Sequence, residues 1–134
     1  MLVWAILPIV INRHLCPRFH RAIELIGRRW NGAIVFVLLQ DRARFGQLRA
    51  AIPGITDRML TERLQALERE GIVIRTVVPD IPVRVEYALT KKGRALAEAF
   101  KTVSAWGEKW LEDDVGERAA SVAPTRARAR ARAV

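Results

Sequence analysis

Residues 53–73 read PGITDRMLTERLQALEREGIV, and this stretch decides how the rest of the chain is parsed. Pro53 and Gly54 enforce a turn, and Thr56 stands after them as an N-cap, whose side-chain oxygen accepts a free backbone amide of a helix's first turn. Over 57–70, Leu60, Leu64 and Leu67 recur at the three- and four-residue steps of a buried helical stripe, and Gly71 ends the run. With the leucines turned inward, Thr56, Asp57, Arg58, Thr61, Glu62 and Gln65 are left as an outward polar face.

Upstream, Phe45, Leu48 and Ile52 share one face of a short helix over 45–51. Two further helices lie between 17 and 39. Phe19, Ile23 and Ile26 form one stripe and Trp30, Ile34, Val37 and Leu38 the other, while Gly27 with Arg28 and Arg29 marks a helix end with basic residues in its last turn. Downstream the period changes. Residues 72–78 and 83–89 are rich in β-branched side chains and are joined by Pro79, Asp80, Ile81 and Pro82, which predicts a β-hairpin with a rigid tip. Thr90 opens a last helix running to about residue 111, with Leu96, Phe100, Val103, Trp106 and Trp110 close to one face. The fold class is therefore mainly α with a small β-hairpin: helix, helix, turn, helix and hairpin in the order of a winged helix-turn-helix.

The chain has 134 residues, which fits one domain, and its 51% hydrophobic and 28% charged content suits a globular core with a charged surface. Three segments are expected: an apolar leader over 1–13, the winged helix-turn-helix over 14–112, and a basic tail over 113–134. The tail holds Ala, Arg, Ser and Pro without apolar period, a composition that predicts disorder. The opening run MLVWAILPIVI has no basic residue before it and no small-residue cleavage site after it, and it falls well short of the roughly 20 residues that span a bilayer. It is read as non-targeting, and no membrane partner is expected.

The formal net charge is +9. Arg126, Arg128, Arg130 and Arg132 of the tail do not account for it, because residues 14–111 alone hold 17 Lys or Arg against 10 Asp or Glu, a balance of +7. A basic folded part favours a polyanionic partner, since each phosphate met by Lys or Arg releases condensed counterions. Double-stranded DNA is the expected partner, because the helix after the tight turn suits a major groove about 12 Å wide. Arg58 is the best base reader on its outward face, as a guanidinium can bond guanine O6 and N7 together. Arg75 and Arg84 lie on the hairpin, where a wing meets phosphate or minor groove, and Arg42, Arg44, Gln47 and Arg49 flank the helix before the turn, placed to fix register through phosphates.

The segments CPRFHRAIELIGRRWNGAIVFVLL (16–39), RFGQLRAAIPGITDRMLTERLQALEREGIV (44–73) and PVRVEYALTKKGRAL (82–96) each resemble the HxlR family of winged helix-turn-helix transcription regulators. The likeness runs from Cys16 to about Trp110. Its most specific parts are Ile26-Gly27 to Trp30, Pro53-Gly54-Ile55 with Met59-Leu60-Thr61, and Val85-Glu86-Tyr87 followed by Leu89-Thr90 and Gly93. The resemblance implies a homodimer in which the N-terminal and the long C-terminal helices pack across the two-fold axis, so that each protomer offers one recognition helix to a half-site. The apolar face of Phe100, Val103, Trp106 and Trp110 agrees, being longer than one small domain needs to cover. The leader and the Arg-Ala tail depart from the family pattern.

The single cysteine, Cys16, excludes an intramolecular disulfide framework and a zinc site of several thiolates, which points to a reducing, cytoplasmic setting. It stands before Pro17 at a helix start, where backbone amides and the helix dipole favour a thiolate. A free cysteine is otherwise most often a small buried hydrophobe. In the HxlR family a cysteine before proline near the N-terminus resembles the sensing residue of members that respond to quinones, diamide or other electrophiles, so Cys16 is the expected redox-sensing residue. His14, Cys16 and His20 amount to three ligands of modest spacing, and no metal or other cofactor is expected.

The expected function is that of a sequence-specific DNA-binding transcriptional regulator, a repressor since wing and dimer leave no activation domain, with a small electrophile or oxidant as effector. Two alternatives stay open: a winged-helix protein-interaction module, and a ligand-responsive regulator without redox sensing. An enzyme is not expected, for the chain carries no phosphate loop, catalytic triad or metal cluster.

Overall fold

The structure, a computed structural model, describes residues 13–112. The expected leader, apart from Arg13, and the expected basic tail with its five arginines lie outside the described residues. The chain divides after Ala95 into two compact units. The first contains α1 (Pro17–Gly27), α2 (Asn31–Gln40), β1 (Ala43–Arg44), α3 (Phe45–Ala51), α4 (Asp57–Arg69), β2 (Val73–Val78), β3 (Arg84–Leu89) and the short α5 (Lys91–Arg94), and the second contains α6 (Ala97–Trp110). No helix among the described residues is long and apolar enough to cross a membrane.

Helix α4 forms as its sequence requires. The Thr56 hydroxyl accepts the Met59 amide at 3.2 Å, and Leu60, Leu64 and Leu67 are buried. At the other end Gly71 adopts a left-handed φ of 73°, which lets its amide reach the Glu68 carbonyl at 3.0 Å and the Ile72 amide reach that of Leu67 at 2.9 Å. This double closure satisfies carbonyls that a helix end leaves open, and a side chain at that φ would be strained. The core around the three leucines takes Ile34, Val35 and Leu38 from α2, Leu48 from α3, Ile52 and Ile55 from the turn, and Ile72, Val73 and Leu89 from the sheet and its approach. Leaving these side chains in water would forfeit roughly 1.5–3 kcal/mol each.

The hairpin is part of a three-stranded antiparallel sheet of order β1-β3-β2. Ala43 pairs with Tyr87 and Arg44 with Glu86, while β2 and β3 run in register from Val73 opposite Leu89 to Val78 opposite Arg84. Because successive side chains alternate between faces, Ala43, Val73 and Leu89 point to the core, whereas Arg44, Thr76, Arg84 and Glu86 share the outer face.

After β3 the chain returns to the end of α4. The Thr90 hydroxyl donates to the Gly71 carbonyl at 2.6 Å and accepts the Gly93 amide at 3.1 Å, and the Lys92 ammonium donates to the Glu70 carbonyl at 2.6 Å. Gly93 is packed so closely that a Cβ there would run into the Ile72 carbonyl oxygen.

Three features depart from the sequence expectations, namely β1, Trp30 and the last helix. The strand β1 has no counterpart among the expected elements. Trp30, expected to open the second stripe, is instead the N-cap of α2 with φ 76°, and a Cβ built on Gly54 would lie 3.7 Å from its ring, so the indole closes over the Pro53-Gly54 turn. The stripe of α1 buries no residue within the described chain, and Phe19 and Ile23 are exposed, on a helix expected to pack across a two-fold axis. The last helix is divided, because Ala95 and Leu96 take ψ values of −16° and −8° that open the ladder between α5 and α6.

Candidate nucleic-acid interface

The polar side of α4 follows from its buried one. Asp57, Arg58, Thr61, Glu62 and Gln65 are all exposed along it, with Thr56 exposed at its cap. Arg58 leaves 88% of its side chain in solvent and its Nε donates to Glu62 Oε1 at 3.2 Å, one turn on. The Thr61 hydroxyl is turned back on its own helix and donates to the Asp57 carbonyl at 2.8 Å.

Asp57 is not free. Its carboxylate takes Arg49 of α3 through two contacts, Nε to Oδ1 at 3.1 Å and Nη1 to Oδ2 at 3.3 Å. One of these contacts, Nη1 to Oδ2, is a hydrogen bond, so Arg49 ties the helix before the turn to the first turn of the helix after it. Asp57 also sits where a helix N-terminus favours negative charge. Gln47 serves the backbone, since its side-chain oxygen accepts the Arg44 amide at 2.9 Å and so caps the start of α3.

The outer face of the sheet gathers arginines that lie far apart in sequence. Glu86 of β3 holds Arg42 through Oε2 at 3.7 Å and Arg84 through Oε1 at 3.2 Å, and Arg84 reaches on to Asp80 at the wing tip at 3.3 Å. Arg44 lies directly opposite Glu86 on the same face. Two arginines thus share one carboxylate, and a third stands opposite it in the sheet. The pairing through β1 does this, bringing the segment before α3 onto the wing.

Arg75 does not join them. It pairs with Tyr87 and therefore lies on the face of Val73 and Leu89, opposite to that of Arg84, although it remains exposed. The anticipated residues thus fall into an α4 set joined by Arg49, an outer-face set of Arg42, Arg44 and Arg84, and Arg75 apart. Sequence reasoning missed Glu86 and Asp80 as partners of the arginines. The signal available was the i, i+2 and i, i+4 spacing of acids about Arg84, which becomes meaningful only once the strand register is known.

Cys16 is exposed and occupies the N-cap position of α1 ahead of Pro17, as expected, with its carbonyl accepting the His20 amide at 3.0 Å. His20 itself lies 3.5 Å from Glu24.

The HxlR-like helix-turn-helix family model matches residues 25–115. YvaP of Bacillus subtilis (strain 168), an uncharacterized HTH-type transcriptional regulator, is 46% identical over 98 residues that cover 73% of this chain and 91% of YvaP. Among solved structures, the reduced form of the transcriptional regulator YodB from B. subtilis is 43% identical with a TM-score of 0.67, covering 74% of this chain and 97% of YodB. The quinone-bound form of YodB is 41% identical with a TM-score of 0.62, covering 71% and 100%. The exposed polar helix, the wing and these likenesses agree: the chain belongs to the HxlR-like helix-turn-helix family of transcriptional regulators, DNA-binding proteins and not enzymes.

Proposed function

We propose that the protein is a homodimeric, sequence-specific DNA-binding repressor whose grip on its operator is relieved by an electrophile or oxidant acting at Cys16. The observation that carries the DNA reading is the outer sheet face with Arg42, Arg44 and Arg84 beside the wing, combined with an α4 whose polar side is unburied. In this reading Arg58 reads a base edge from the major groove, with Thr56, Asp57, Thr61, Glu62 and Gln65 around it. Arg42, Arg44, Arg49 and Arg84 meet phosphates and set register, Gln47 supports them through the α3 cap, and Arg75 is a second, separate backbone contact.

Dimerisation is supported by two uncovered apolar faces. Neither α1 nor α6 buries a residue, and Phe19 in the former and Val103, Trp106 and Trp110 in the latter are each more than half exposed. Contiguous apolar surface of this kind marks an interaction site on a small protein. Sensing is supported by the exposure of Cys16 at the start of α1 and by the quinone-bound form of YodB among the similar structures. An adduct beside a dimer helix changes the separation of two recognition helices without touching DNA.

The experiment that tests the function is a footprint on the DNA flanking the protein's own gene. A protected palindromic site with half-sites one helical turn apart, about 34–36 Å, is expected. Uniform, sequence-independent protection at every concentration would refute sequence-specific regulation.

A further inference from the structure

We propose that Glu86 is a positioning residue for DNA binding: its carboxylate pairs with Nε of both Arg42 and Arg84 and so leaves the terminal nitrogens of the exposed Arg42, and in part those of Arg84, for phosphate. The inference rests on the reading of the outer sheet face as a DNA contact. It adds a residue of the wrong charge for DNA whose presence strengthens the grip.

The geometry divides the work between the two carboxylate oxygens. Oε1 lies 3.2 Å from Arg84 Nε and Oε2 3.7 Å from Arg42 Nε. Neither contact is a hydrogen bond, the Arg84 one lacking alignment at Nε and the Arg42 one being too long, so charge and proximity hold both. Both contacts use Nε, so among the described residues no acid pairs with the terminal nitrogens of Arg42, whose side chain is exposed, while Arg84 Nη2 lies 3.3 Å from Asp80 Oδ2. Glu86 leaves 16% of its side chain exposed, against 34% for Arg84 and 70% for Arg42. The acid is thus the sunken anchor and the bases the surface it presents.

Two arginines from distant segments converge on it, one before β1 and one at the start of β3, and Glu86 is directly opposite Arg44. The pair with the exposed Arg42 contributes little to folding. Both pairs do remove rotamer freedom from long side chains, and that freedom is otherwise lost when phosphate is bound.

The sign of the effect makes the test decisive. Deleting a negative charge from a DNA-binding face strengthens binding through charge alone. If Glu86 positions the arginines, Glu86→Gln does the reverse. The measurement is fluorescence anisotropy of a mixed-sequence DNA duplex titrated with the full chain over a series of salt concentrations, with wild type, Glu86→Gln, Arg42→Ala and Arg84→Ala compared. Glu86→Gln is expected to weaken binding roughly three- to tenfold and to lower the salt slope, with circular dichroism and melting temperature unchanged. In the Arg42→Ala/Arg84→Ala background the same change should no longer weaken binding.

Tighter or unchanged binding by Glu86→Gln, while the single arginine variants bind more weakly, overturns the positioning role and leaves the DNA face standing. Unchanged binding by Arg42→Ala and Arg84→Ala removes the DNA face and the proposal with it. If Glu86→Gln fails to fold, Glu86→Asp, which keeps the charge and shortens the reach, takes its place with the same expected loss. A loss that persists in the double-arginine background identifies a structural residue and also overturns the proposal.

Discussion

Arg49 and Asp57 close a two-point salt bridge across the tight turn, with contacts of 3.1 and 3.3 Å. Both side chains are more than half exposed, so the pair contributes little to stability, below about 1 kcal/mol. Its larger effect is expected on DNA binding, since it neutralises an acid at the front of α4. Arg49→Ala should leave the melting temperature nearly unchanged and weaken DNA binding several-fold, and Arg49→Ala/Asp57→Asn should recover part of that loss. A double variant as weak as Arg49→Ala would show that Asp57 never faces phosphate.

Arg58→Ala should lower affinity for the footprinted operator by about 1–3 kcal/mol with the fold intact, as expected for loss of a two-point contact to a base. Competition between operator and mixed-sequence duplex is the check. Equal weakening on both would reassign Arg58 to a phosphate.

Light scattering at micromolar concentration should give a dimer of the 15.2 kDa chain. Trp106→Glu and Phe19→Glu place charges on the uncovered faces of α6 and α1, and each should shift the mass to that of the monomer with circular dichroism preserved. A wild type that is monomeric throughout this range would refute the proposed assembly.

Diamide or a quinone should release DNA from the wild type but not from Cys16→Ser, with unchanged circular dichroism. Tenfold relief requires the adduct to favour the non-binding arrangement by about 1.4 kcal/mol, a modest demand for a bulky group at an interface. Equal release from both proteins, or from neither, assigns Cys16 a structural role.

The parts of this fold that were legible in the sequence are those with local causes. The leucine stripe of α4, its Thr56 cap and the Gly71 stop each act within one or two turns, and all three stand as expected. The hairpin was legible for the same reason. What escaped depends on pairing at a distance: β1 has two residues, too few for any period, and exists only because β3 bonds to it. The grouping of Arg42 and Arg44 with Arg84, and the separation of Arg75, are consequences of that register. The stripe of α1 is a different case. A helical period tells which side chains share a face, but Phe19 and Ile23 show that it does not tell what covers that face.

The bonds from Thr90 to Gly71 and from Lys92 to Glu70 couple the end of the reading helix to the root of the wing. These two elements, both proposed to touch DNA, are therefore clasped like the jaws of a fixed wrench and not like fingers. An effector has no cheap way to loosen one while the other holds. In the proposed dimer, control then acts on where each whole reading head stands relative to its twin. Operators differing only in the gap between half-sites should consequently differ in how readily an inducer clears them, even when their half-site sequences are identical.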